Sequence, residues 1–301
     1  DGQLCCEAAM MLLDSQKFYQ KWLEDISDCQ STDNGHVQHT APFMGGGGGP
    51  AGWGGAIAVV PYEMYKIYGD RETFRRYLPK ILRYFDYLDS RSSGGLVCRE
   101  EQGGWCLGDW CTPEPIAICE PFVNTALCVK QMLMTKEAAE AIGEKETAQM
   151  LGRRIEEKRQ AILNAYYSPQ TGSFIGDVQG ANSFATDIGL GGERAYENTR
   201  KKYSAADSFD TGIFGTDILT RVLFERGDAN TAFRLLTSEG KGSFYNMKKH
   251  GATTIWENWD GERSHSHPMF GAATRYLFSF ILGITQEKTS AGYEHILIAP
   301  Q

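Results

Sequence analysis

The chain has 301 residues, 42% hydrophobic and 23% charged, with a formal net charge of -8. That is enough ordinary globular composition to bury a sizeable core. The negative balance, with no basic stripe to interrupt it, argues against a nucleic-acid partner. Apolar runs such as Ile57 to Pro61 and Ile296 to Pro300 are too short to span a bilayer.

In chain order, the apolar pattern is helical almost throughout. Ala8, Met11, Leu12, Phe18 and Trp22 recur at helical spacing, and helices are predicted near 56–68, along Phe74, Leu78, Ile81, Phe85 and Leu88, and over 114–142. Leu151, Ile155, Ile162 and Tyr166 mark another stripe, followed by helices near 182–190, 214–226, 228–237 and 268–283. Asp70 and Asp228 each follow a glycine and are read as N-caps, and Pro268 suits a first helical turn. The clearest strand signal is the terminal run Ile296 to Ala299, ahead of Pro300.

Long Gly- and Trp-rich loops, roughly 29–55, 91–113 and 239–266, alternate with short turns between helix pairs. Paired antiparallel helices without a fixed sequence period suggest a closed α/α toroid, rather than a stacked repeat, with the long loops gathered at one end. All eight cysteines precede residue 129, without the spacing of a disulfide framework or a zinc knuckle, so free thiols in a reducing compartment are expected. That points to the cytoplasm, with the periplasm or secretion as alternatives.

Chemistry concentrates in Gly251-Ala-Thr-Thr-Ile-Trp-Glu-Asn-Trp-Asp260, followed by His265 and His267. A carboxylate flanked by tryptophans suits a sugar-cleaving site, since the rings offer apolar faces to a pyranose and shape the acid's surroundings. The plainer reading makes Trp256 and Trp259 core residues and Glu257 the cap of a turn. Two further loops weigh on the side of function: Gly108-Asp109-Trp110, with Trp105 nearby, and Gly52-Trp53-Gly54-Gly55. The pentaglycine Gly45 to Gly49 lacks the lysine of a phosphate loop and reads as a flexible cleft rim. A metal held by His265 and His267 with Glu257 or Asp260 would have a loose ligand set, so a histidine hydrogen bond to substrate or carboxylate is the expectation, with no metal and no cofactor.

The segment Gly251 to Asp260 resembles the "GATT-W-E-x-WD" signature of bacterial α-L-rhamnosidases of glycoside hydrolase family 78. Other family elements follow in order: Asp1-Gly2, Gly52-Trp53-Gly54 before Val59-Val60-Pro61-Tyr62, Gly108-Asp109-Trp110, Thr211-Gly212-Ile213-Phe214-Gly215-Thr216, and His267-Pro-Met-Phe-Gly-Ala272. The resemblance covers nearly the whole chain. It implies an all-α (α/α)6 barrel, a six-hairpin glycosidase toroid lacking its first segment, over residues 1–285, with 286–301 as linker and first strand of a following β domain.

It further implies hydrolysis of terminal α-L-rhamnosyl residues with inversion, Glu257 acting as the general base. The family's general acid is a glutamate in a "P-x-R-x-E" stretch before the "GD" pair, hence expected upstream of Asp1, and this chain alone is expected to be inactive. Sugar contacts are implied for Asp1, Trp53, Trp110 and His267, so the partner is a carbohydrate. The family's "GWGD" reads Gly52-Trp-Gly-Gly55 here, without the carboxylate. The alternatives are a non-catalytic sugar-binding toroid, or another α/α-barrel enzyme such as a glycuronyl hydrolase or a lyase. Oligomeric state is not legible.

Overall fold

A computed structural model describes residues 1–45, 48, 51–99, 101, 106 and 108–300. Trp105 and most of the pentaglycine lie outside the described residues. The helices are α1 (Gly2–Leu12), α2 (Gln16–Asp28), α3 (Ala56–Tyr68), α4 (Arg71–Ser90), α5 (Glu120–Ala141), α6 (Lys145–Tyr166), α7 (Ala181–Asp187), α8 (Gly192–Ala205), α9 (Ile213–Glu225), α10 (Ala229–Thr237) and α11 (Phe244–Lys249). Three 3₁₀ segments, Gly52–Gly55, Ile175–Gly180 and Pro268–Thr274, and a wide turn of helix, Leu277–Ile281, complete the helical part of the described residues.

Strands are short: β1 (Ser92–Ser93) with β2 (Leu96–Val97), β3 (Tyr167–Ser168) with β4 (Ser173–Phe174), and β5 (Ile284–Gln286) with β6 (Ile296–Ile298), each pair antiparallel. The strand expected at the end of the chain thus pairs back onto residues immediately after the last helical turn. Its three side chains are exposed.

Packing follows an alternation. α1 packs on α3, α3 on α5, α5 on α7, α7 on α9, α9 on Pro268–Thr274, and that segment returns to α1. These elements form the inner ring, and α2, α4, α6, α8 and α10 lie outside it against their neighbours. Inner helices are apolar on most sides: α5 and α9 bury residues around nearly their whole circumference. α4 and α10 are amphipathic, as single-faced packing requires.

A buried ionic knot closes the ring. Nη2 of Arg275 donates to both carboxylate oxygens of Asp217 on α9 at 2.9 Å, its Nε lies 2.9 Å from Glu7 of α1, and its Nη1 donates to the Leu4 carbonyl at 3.3 Å. Tyr276 donates its hydroxyl to Asp217 at 2.9 Å.

Several boundaries match the pattern and others shift for local reasons. Asp70 caps α4 by accepting the Thr73 amide at 2.9 Å, and Gly69 before it is left-handed at φ 69°. Asp228 makes no side-chain cap; its carboxylate accepts the Tyr196 hydroxyl instead. The helix expected from 114 begins only at Glu120. Pro113 and Pro115 interrupt the pattern, and Gln179 holds the stretch non-helical by accepting the Ala117 and Ile118 amides at 2.7 and 3.0 Å.

Candidate active site

Glu257 lies on a loop folded back like a hairpin. The Glu257 amide donates to the Ser264 carbonyl at 2.8 Å, and the His267 amide to the Ile255 carbonyl at 2.8 Å. Its carboxylate is 15% exposed and is approached by the Ser264 amide at 3.4 Å, Arg263 Nη1 at 3.6 Å and His267 Nδ1 at 3.6 Å. His267 in turn sets Nε2 2.6 Å from Asp1 Oδ2. Burial holds the His267 pKa below the usual imidazole range, against the nearby Glu257 charge. Nδ1 faces Glu257 at a distance longer than a hydrogen bond, 3.6 Å.

The rings flanking Glu257 do not offer faces to a ligand. Trp256 and Trp259 are 6% and 3% exposed. Trp259 packs against Phe209, Phe244 and Phe270 and donates its indole N–H to the Thr211 carbonyl, while Trp256 stacks on His265 at 4.6 Å. For these two tryptophans the core reading holds. They anchor the hairpin, so the carboxylate between them is fixed rather than decorated. His265 bonds the Gly261 carbonyl at 2.8 Å, away from Glu257, and no cluster of three metal-ligating side chains occurs among the described residues.

The aromatic partner of Glu257 comes from elsewhere in the sequence. Trp110 lies under the Arg263 guanidinium, 5.1 Å from its ring centre, so Glu257, Arg263 and Trp110 form one line. Asp109 beside it is fully buried and is no cleft carboxylate. It accepts the amides of Gly212, Phe214 and Gly215 at 2.7, 3.0 and 2.9 Å, at the start of α9 where unpaired donors and the helix dipole favour an acid. Burial pushes the Asp109 carboxyl up, to about 7, and those three amides oppose it.

This clasp explains the glycines of Thr211-Gly212-Ile213-Phe214-Gly215-Thr216. A Cβ at Gly212 would run into the Asp109 and Trp110 carbonyls, and one at Gly215 into the Asp109 carboxylate. The Ile213 amide also donates to the Trp110 carbonyl at 2.9 Å, which sets the tryptophan at the site.

Trp53 joins less directly. Its ring meets Phe214 at 5.2 Å, and its turn is held by Gln3, whose side chain donates to the Gly52 carbonyl at 2.8 Å two residues from Asp1. Asp1, His267, Glu257 and Trp110 are thus linked by direct contacts or through Arg263, and Trp53 through Phe214.

Three residues here escaped the sequence reading. Arg263 carried no signal beyond being a loop cation. Cys111, left-handed at φ 63°, donates its thiol to Asn258 Oδ1 at 3.0 Å. Burial, then the Glu257 charge, pushes that thiol up to about 12 and quenches it as a nucleophile. Gln131 of α5 lays its amide against Gly55, where a Cβ would overlap it, and its buried Oε1 has no hydrogen-bond partner among the described residues. The place where a side chain at Gly55 would begin is therefore filled.

A cavity of about 420 Å³ occupies the ring's interior, lined by Glu7, Glu63, Gln131, Asp187, Asp217 and Arg275 among others. None of the five predicted site residues lines it.

Comparison with known proteins gives a consistent picture. The profile of the bacterial alpha-L-rhamnosidase 6 hairpin glycosidase domain matches residues 1–281. An alpha-L-rhamnosidase of Streptomyces avermitilis is 29% identical over 320 residues, a stretch that takes in the whole chain and 30% of that relative. One of Formosa agariphila is 25% identical over 323 residues, covering the whole chain and 34% of the relative. The crystal structure of the Streptomyces avermitilis alpha-L-rhamnosidase complexed with L-rhamnose matches 100% of this chain and 30% of its own, at 27% identity and a TM-score of 0.87. The alpha-L-rhamnosidase structure from Dictyoglumus thermophilum matches at a TM-score of 0.88 and 22% identity, covering 100% of this chain and 35% of its own, and speaks to the fold alone. The chain spans about a third of the length of these relatives. Among the described residues, no helix is long and apolar enough to cross a membrane.

Proposed function

Because the chain belongs to the bacterial alpha-L-rhamnosidase six-hairpin glycosidase domain family, we propose that it forms the catalytic toroid of an enzyme that removes terminal α-L-rhamnosyl residues with inversion. Glu257 is assigned as the general base. Asp1, Trp53, Trp110 and His267 are assigned to hold the sugar. The observation that carries this reading is the chain of contacts Asp1–His267–Glu257–Arg263–Trp110, which gathers residues from both ends and the middle of the sequence at one place.

The chemistry asks for a base fixed at a distance from the anomeric carbon that leaves room for water, with the two carboxyls roughly 6.5–9.5 Å apart. What supports Glu257 as that base is that its backbone is clamped to Ser264 and its flanking rings are buried, while its side chain keeps some contact with solvent. The proton donor is not Asp109, whose oxygens are spent on three amides. We place the donor, as the family resemblance implies, on a carboxyl outside residues 1–301. His267 held by Asp1 would orient the sugar through hydrogen bonds at the Glu257 side.

The test uses a protein carrying both carboxyls. Glu257→Gln is expected to lower turnover of an aryl α-L-rhamnoside by about three orders of magnitude or more, with L-rhamnose binding retained. Wild-type turnover in that variant removes Glu257 from the mechanism. Sugar binding without any turnover in the unmodified protein would instead favour a non-catalytic carbohydrate-binding toroid, a reading to which the filled space at Gly55 lends support.

A further inference from the structure

Resting on the sugar-site reading just given, we infer that Arg263 covers the sugar platform of the free protein and is displaced when the sugar binds. The guanidinium lies over the Trp110 ring, 5.1 Å from its centre, with Nη1 3.6 Å from Glu257 Oε1. A pyranose stacked on that face, with its anomeric carbon one water away from Glu257, needs the volume the guanidinium takes. Cation and sugar C–H groups compete for the same electron-rich ring face.

Arg263 can yield cheaply. Its side chain is 52% exposed, and 3.6 Å to Glu257 is an ion contact longer than a hydrogen bond. The backbone around it is fixed: the Ser264 carbonyl takes the Glu257 amide, the Ile255 carbonyl takes the His267 amide, and His265 stacks on buried Trp256. Displacement therefore means a rotation of one side chain on a stationary hairpin. Neither Glu257 nor Trp110 has to move. Apparent affinity falls by the fraction of molecules in which the platform is uncovered, so removing the cover tightens binding.

The experiment is calorimetric titration of L-rhamnose into the protein carrying both carboxyls and into three variants of it: Arg263→Ala, Trp110→Ala and the double variant. Arg263→Ala is expected to bind roughly five-fold tighter than the unmodified chain, the size expected for losing an exposed cation–π contact and a weak ion pair. That gain is expected to vanish on the Trp110→Ala background. Equal affinity in Arg263→Ala overturns the proposal, and weaker affinity overturns it by making Arg263 a sugar contact. A gain that persists without Trp110 also overturns it, since the cover is then not on that ring. Absence of L-rhamnose binding in all four proteins overturns the sugar-site reading itself, and the proposal with it. A melting temperature of Arg263→Ala matching the unmodified chain excludes misfolding as the cause of any loss.

Discussion

Gln131 sets its side-chain amide where a Cβ on Gly55 would stand, so a side chain at 55 must displace it. Gly55 itself has ordinary helical dihedrals, φ -61° and ψ -11°. The backbone would accept any residue, and the need for glycine comes from α5. Gly55→Asp is therefore expected to destabilise the domain by about 1–3 kcal/mol through overpacking. Gly55→Asp with Gln131→Ser is expected to recover most of it. Denaturant midpoints at constant slope measure both; a stable single variant would mean the Gln131 amide swings aside freely.

Asp109 is a second point of leverage. In Asp109→Asn one oxygen becomes an amide donor facing backbone N–H groups that need an acceptor. The expected loss is about 1.5–3 kcal/mol, the range for hydrogen bonds to a charged group. Because the same loop carries Trp110, affinity for L-rhamnose should fall as well. Unchanged stability by chemical denaturation would show that the clasp on α9 is dispensable.

Glu63 gives a pH signature. Burial in the ring's interior, reinforced by the Glu7 charge, raises its carboxyl to about 8, with Arg275, Lys130 and Arg221 opposing. The folded pKa lies above the unfolded one, so this residue's contribution to stability is complete below about 4.5 and is lost as pH rises through 8. Melting temperature followed from pH 5 to 9 should fall less steeply in Glu63→Gln than in the unmodified chain. Parallel curves would mean that Glu63 is ionised throughout that range.

Arg275→Met tests the ionic knot. Removing the cation leaves Asp217 and Glu7 without the guanidinium they share, and one-sided loss of a buried pair costs about 3–5 kcal/mol. The combined change Arg275→Met with Asp217→Asn should be milder than the single one. A greater loss in the double variant, measured by urea unfolding, would contradict the uncompensated-charge account.

Much of the ring was legible because inner helices carry long apolar runs. The helix expected over 56–68 is α3 to the residue, and Asp70 caps α4 as its place after Gly69 suggests. α8 was not foreseen: it buries little beyond Ala195, Tyr196, Thr199 and Tyr203, too thin a stripe to stand out from its charges. The two-residue strands offer no room for an alternating pattern.

At the candidate site, Glu257 and Trp110 stand out because unusual residues cluster in long loops, whereas Asp1 and the sugar role of His267 come through the family resemblance. What each ring does is not legible in this way, since a tryptophan beside a carboxylate reads alike whether it faces a ligand, as proposed for Trp110, or the core, as Trp256 and Trp259 do. The partners Arg263 and Gln131 depend on contacts across the ring, invisible to any local window.

The hydrogen bond from Arg275 to the Leu4 carbonyl joins residues 271 positions apart. A linear stack of helix pairs can grow by accretion, each repeat settling on the one before. A ring fastened in this way cannot. α1 meets Pro268–Thr274 only once the chain has been made that far, so shorter nascent lengths leave this seam of the ring open. Assembly must wait on a contact of very high sequence separation, the kind whose closure entropy slows folding and prolongs exposure to aggregation. Ring closure is therefore expected as a late step of folding.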